Sequence, residues 1–154
     1  MNTVNALQEA LKAEHAAVYG YGALGARLRG TLQQHAKSLW DAHRAQRDAL
    51  TARLAALGAR PASAAVAYRL PVDPVSPRSA ADLAAALEDA LVTAYVMLAG
   101  ASDPALRTLA AKAMQEATAR AVRWRAATGR PQGPAPAFPG LPPAALSPKP
   151  RPGD

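Results

Sequence analysis

The chain has 154 residues, half of them apolar and few of them aromatic, with no cysteine and a formal net charge of +7. The absence of cysteine excludes disulfides, thiolate nucleophiles and thiolate metal ligands, and the length suits one domain with a hydrophobic core of ordinary size. The positive charge is scattered, with no dense basic run and a net negative stretch at 61–102, which argues against nucleic-acid binding.

The opening MNTVNALQEALKAEH lacks the basic region followed by an apolar region that marks a signal peptide. No stretch reaches the roughly 18 uninterrupted apolar residues of a membrane span. A cytoplasmic protein with no membrane association is expected. Alanine dominates the apolar fraction and is the best helix former, so the expected class is all-α.

In chain order, Asn2 or Thr3 caps a first helix that runs to about Arg29, and Gly30-Thr31 marks a tight reversal. A second helix runs from about Leu32 to Leu57, ended by Gly58 and Pro61. Residues 58–79 read as an extended, proline-rich crossover. Ser79 opens a third helix, with Asp82 three residues on as a capping-box-like partner, and that helix ends at Gly100. Ser102-Asp103-Pro104 starts a fourth helix, which stops at Thr128-Gly129. Nine of the fourteen prolines fall from Pro131 onward, so residues 129–154 form a Pro-rich tail. Within it, AFPGL at 137–141 is apolar enough to dock on the helices. Residues 1–128 thus form the folded domain. Two short loops with one long connection between helices two and three are the pattern of a ferritin-like four-helix bundle.

Polar groups interrupt the apolar seams. In the first helix the 4,3 spacing selects Leu7, Leu11, Glu14, Val18, Tyr21, Gly25 and Leu28, which puts Glu14 on the seam itself. His43 and Gln46 fall on the seam of the second helix, and Glu116, Arg120 and Trp124 on that of the fourth. In the third, Glu88 and Tyr95 are seven residues apart and share a face. Counting from the turns brings Glu88 level with Glu116, and Glu14 nearly level with Arg47, with His43 one helical turn away. Three buried carboxylates require cations, which are either arginines or a metal. Tyr19 and Tyr21 cannot both point inward, and Gly20, Gly22 and Gly25 are expected to admit a close neighbour. His15 is expected at a boundary, His35 on the surface, Trp40 and Trp124 in packing roles, and Arg123 and Arg125 on a solvated face.

The stretches LQEALKAEHAAVYGYGALGARL, DAHRAQRDAL, ALEDALVTAYVML, RAVRWRAA and FPGL, in that order and spacing, resemble the ferritin-like domain of unknown function common in high-GC, chiefly actinobacterial, genomes. The resemblance spans about residues 5–141. It implies a four-helical, ferritin-like scaffold and supplies no reaction. The wider superfamily binds two metals through a Glu on one helix and Glu-x-x-His on the next, repeated in the second half. Glu14 and Glu88 match the lone Glu positions. His43 matches a His, but Trp40 stands where its Glu belongs; Glu116 matches a Glu, but Ala119 stands where its His belongs.

With two of six ligands missing, a di-metal centre is not implied, and two readings stand. In the first, Arg47 and Arg120 neutralise Glu14, Glu88 and Glu116, with His43 and Tyr95 as hydrogen-bonding partners. The protein is then a non-catalytic binding or assembly bundle without a cofactor, its partner unidentified or a second copy of itself. In the second, Glu14, His43, Glu88 and Glu116 hold a single iron, manganese or zinc ion, and the protein is a metal-dependent oxidoreductase with a degenerate site.

Overall fold

A computed structural model describes residues 2–129, among which there are four helices and no strand. The helices are α1 (Thr3–Gly25), α2 (Gly30–Ala56), α3 (Pro77–Ala99) and α4 (Pro104–Ala127). None is long and apolar enough to cross a membrane. The expected Pro-rich tail and its AFPGL segment lie outside the described residues.

Local chemistry sets the helix ends. Asn2 caps α1 by accepting from the Asn5 amide at 2.8 Å. The helix stops at Gly25, short of the expected Arg29. The Gln33 side chain takes the Gly25 carbonyl, and Arg29 donates to the carbonyls of Ala26 and Leu28. Gly30 has φ +58 and begins α2, two residues before the expected start. At the other end of α2, Gly58 has φ +72. The Ala59 amide donates to Leu54 and the Gly58 amide to Ala55, the paired bonds of a Schellman stop.

The cap of α3 is Ser76, not the expected Ser79. Ser76 Oγ accepts from the Ser79 amide at 3.1 Å, and Ser79 Oγ accepts from the Ser76 amide at 2.9 Å. Ser79 therefore holds the third position of the capping box, and Pro77 occupies the first turn, where its missing N–H costs nothing. In α4, Asp103 caps the Ala105 amide at 2.8 Å with Pro104 behind it, as expected.

α1 packs on α2 and α3, and α3 packs on α4, while no Cα of α2 lies within 8 Å of α4. The crossover is pinned along α1. Gln8 bridges the Arg60 carbonyl and the Ala62 amide, and His15 Nε2 lies 3.0 Å from the Ala62 carbonyl, the boundary position expected of it. Further along, Tyr68 meets the outward-facing Tyr19 at a ring separation of 5.5 Å, and Leu70 and Val72 pack on the core. The crossover thus returns the chain to the Gly30 end before α3 begins. α2 and α3 run in one direction, α1 and α4 in the other.

The core has two apolar clusters. One is built on Leu7, Leu11, Leu50, Leu54, Leu98 and Leu106, the other on Leu24, Leu28, Leu39, Leu83, Ala84 and Trp124. Of the three glycines expected to admit a neighbour, Gly20 does so. A Cβ there would sit 2.4 Å from Leu87 Cδ1, whereas Gly22 meets only Trp40 at 3.9 Å and Gly25 meets nothing within 4 Å.

The Gly20 contact predicts a sign reversal. Gly20→Ala should cost roughly 1–3 kcal/mol through overpacking against the buried Leu87. In a Leu87→Ala background the same change should stabilise by up to about 1 kcal/mol, the helix propensity of alanine over glycine. Urea unfolding of the four proteins of that cycle measures both numbers.

Candidate functional site

Between the two apolar clusters lie three buried polar side chains, Glu14 from α1, His43 from α2 and Glu88 from α3, exposed by 2%, 2% and 0%. His43 stands between the carboxylates. Its Nδ1 is 2.8 Å from Glu14 Oε2 and its Nε2 is 3.0 Å from Glu88 Oε1. A neutral imidazole has one N–H, so two carboxylate partners call for the doubly protonated ring. Burial pulls the His43 pKa down, but the hydrogen bonds and charges of Glu14 and Glu88 outweigh it and raise the value from 6.5 to about 9. His43 is therefore a buried cation at neutral pH.

Two tyrosines complete the layer in a crossed pattern. Tyr21 on α1 donates to Glu88 on α3 at 2.6 Å, and Tyr95 on α3 donates to Glu14 on α1 at 2.7 Å. Burial, and then the facing carboxylate, push both phenols above their ordinary range, so both remain donors. Outer partners extend the chain. Trp124 Nε1 donates to Tyr21 at 3.0 Å, and Gln46 donates to Tyr95 at 3.1 Å. One oxygen, Glu88 Oε2, has no hydrogen bond, and Arg120 Nη1 stands 4.0 Å from it. The central charges balance as two carboxylates against His43 and Arg120.

Of the expected constellation, Glu14, His43, Glu88 and Tyr95 are brought together and Arg120 borders them. Arg47 is not part of it. It turns outward to Asp48 at 2.7 Å, because Gln46 takes the inward position one turn beyond His43. Glu116 lies at the exposed edge, 3.6 Å from Arg120 and 3.9 Å from Lys112. His35 also departs from expectation. It is partly buried, its ring 5.1 Å from that of Trp124, and burial followed by the charges of Arg123 and Arg120 lowers its pKa. Arg125 is paired with Asp89.

Tyr21, Gln46 and Trp124 belong to the network although the sequence reading gave them no such role. Tyr21 follows Glu14 by seven residues, as Tyr95 follows Glu88, and that repeated spacing was the available signal. Where α2 and α4 stand apart, a cleft of about 90 Å³ opens over the layer, with Ala42, Ala113 and Ala117 in its walls and Gln46, Glu116 and Arg120 among its polar lining.

As arranged, these donors do not fit a metal ion. A ligating histidine presents a lone pair, whereas both His43 nitrogens point at carboxylate oxygens. Glu116 faces the exposed edge, and among the described residues no group of three His, Cys, Asp or Glu is spaced to hold a metal.

The His43 geometry fixes a pH dependence. A folded-state pKa raised from 6.5 to about 9 gives stability that is fully present below 6.5 and is lost as pH rises through 9. The loss should be roughly 3 kcal/mol between pH 6 and 9.5. Denaturation midpoints across that range should fall for the wild type and stay much flatter for His43→Gln.

A domain of unknown function (DUF4439) matches residues 6–143. Among solved structures, the chain is similar to the crystal structure of a conserved hypothetical protein, rv2844, from Mycobacterium tuberculosis. The two are 32% identical, with a TM-score of 0.77 over 81% of this chain and 96% of that one. No curated protein matches. With nearly its whole length covered by that domain and a solved relative sharing its helices, the chain belongs to the DUF4439 family.

Proposed function

We propose that the protein is a ferritin-like four-helix bundle that works by binding or assembly and not by catalysis, with a Glu–His–Glu layer in place of a di-metal centre. The single observation carrying this reading is His43, held at both ring nitrogens between Glu14 and Glu88. A protonated imidazole supplies the positive charge that a metal would otherwise bring to two buried carboxylates. The short–long–short connections and the inward carboxylates on α1 and α3 support the ferritin-like scaffold. With Tyr21 and Tyr95 already bonded to the carboxylates, the layer holds the helices together and its groups are committed to one another.

The alternative is an oxidoreductase with a single iron or manganese on Glu14, His43, Glu88 and Glu116, and one experiment separates the two. Protein purified without chelator and then challenged with Fe(II) and Mn(II) should retain far less than one equivalent of metal by elemental analysis. In metal-free buffer, Glu14→Ala should cost about 3–5 kcal/mol, because it strands the His43 cation. Stoichiometric metal that disappears in His43→Ala, or a Glu14→Ala protein as stable as wild type, would reverse the assignment.

A further inference from the structure

A second concave surface shares only Tyr21 with the polar layer. At the Gly30 end of the molecule, a shallow groove of about 490 Å³ runs between α1 and α2. Gly22, Gly25 and Ala26 line it from α1 and the α1–α2 turn, with the buried Tyr21 and the half-buried Trp40 beside them. No atom lies near the position of a Gly25 Cβ, so this side is bare for want of side chains and not through close helix packing. Gln33, Gln34 and Lys37 complete the lining. They are donor-rich groups beside an otherwise mostly apolar surface.

We propose that residues 137–141 of this same chain, AFPGL, dock in this groove. Three observations carry the assignment. The first is position. Trp124 bonds to Tyr21, which also lines the groove, and stacks near His35, so α4 ends beside the α1–α2 turn. The second is reach. Ala137 follows Gly129 by eight residue steps. Extended, they span at most about 29 Å, and in polyproline II form about 25 Å, enough to pass a helix about 10 Å across.

The third is chemistry. The segment from Pro131 to Pro143 is rich in proline, which offers carbonyl acceptors and no N–H. Aromatic-lined grooves with donor side chains at the rim are the surfaces that recognise such chains, and Trp40 with Gln34 and Lys37 supplies both parts. Phe138 and Leu141 provide the apolar anchors. The DUF4439 match runs to residue 143, so the family domain takes in this segment instead of stopping where α4 ends.

The absence of native cysteine makes the test direct. The full-length protein with Gln34→Cys and Ala137→Cys is oxidised under mild conditions beside a control with Ala52→Cys and Ala137→Cys, whose α2 site lies toward the opposite end of the helix. Docking predicts an intramolecular disulfide in the first protein, forming at least about tenfold faster than in the control and at a rate independent of protein concentration. Adding Phe138→Ala should remove that advantage. Equal rates in the two pairs overturn the proposal. So does a disulfide-linked dimer whose formation rises with concentration, because the groove would then take the segment of a second copy. In native cysteine-free protein, truncation after Gly129 should shift indole emission to the red as Trp40 is uncovered, and unchanged emission also counts against docking.

Discussion

A positive charge buried at the centre of an alanine- and leucine-rich core is the constraint on which the other interactions turn. An uncompensated imidazolium there would cost several kcal/mol, and so would either carboxylate alone. His43, Glu14 and Glu88 are therefore stable only together, and they come from three different helices. The tyrosines follow from the same requirement. A carboxylate bonded to one imidazole nitrogen has accepting capacity left, and Tyr21 and Tyr95 each take part of it from the helix opposite each acid, with Glu88 Oε2 left to the charge of Arg120. Trp124 and Gln46 then satisfy the phenol oxygens, so the network runs from the buried indole of Trp124 to the partly exposed Gln46.

The fourth helix takes part differently. α1, α2 and α3 insert charged side chains into the layer, whereas α4 lines the same level with Ala113 and Ala117 and brings Arg120 only to 4.0 Å from Glu88. The small side chains and the separation of α2 from α4 leave the cleft above His43. At the Gly30 end, Trp124 reaches across to Tyr21 and His35 and closes what would otherwise be an open seam.

Much of this was legible in residue types. Asp103-Pro104 and Gly58 mark helix ends through backbone chemistry that depends on no tertiary contact, and the seam walk placed Glu14, His43 and Glu88 inside. The errors have physical causes. Ser76 caps α3 because Pro77 is favoured in a first turn, while reading the proline as the end of the crossover moved the cap to Ser79. Arg47 was level with Glu14 by axial count, but depth along a helix does not say which way a side chain turns, and Gln46 holds the inner place. The protonation of His43 was not legible, because it depends on two carboxylates, far apart in sequence, converging on one ring.

Replacing a buried ionic cluster by well-packed hydrophobic residues is often neutral or stabilising, so net stability is a weak reason for such a layer. The rest of the core suggests a better one. Its seams are rich in alanine, at 6, 10 and 17 on α1, at 80, 81, 84 and 85 on α3, and at 110, 117 and 121 on α4. Surfaces of repeated small side chains look alike after a slide of one helical turn, about 5.4 Å, and discriminate poorly between registers. The crossed tyrosine–glutamate bonds do not tolerate that slide. Moving α3 by one turn against α1 breaks both bonds and separates Glu88 from His43, leaving Glu88 buried without its hydrogen-bonding partners while Glu14 keeps only His43. Register is thereby set by a penalty on every alternative, a role for which buried polar groups are best attested. A layer that fixes register in this way uses its own hydrogen-bonding groups to do so, which directs the search for partners toward the groove at the α1–α2 turn and the segment that follows α4.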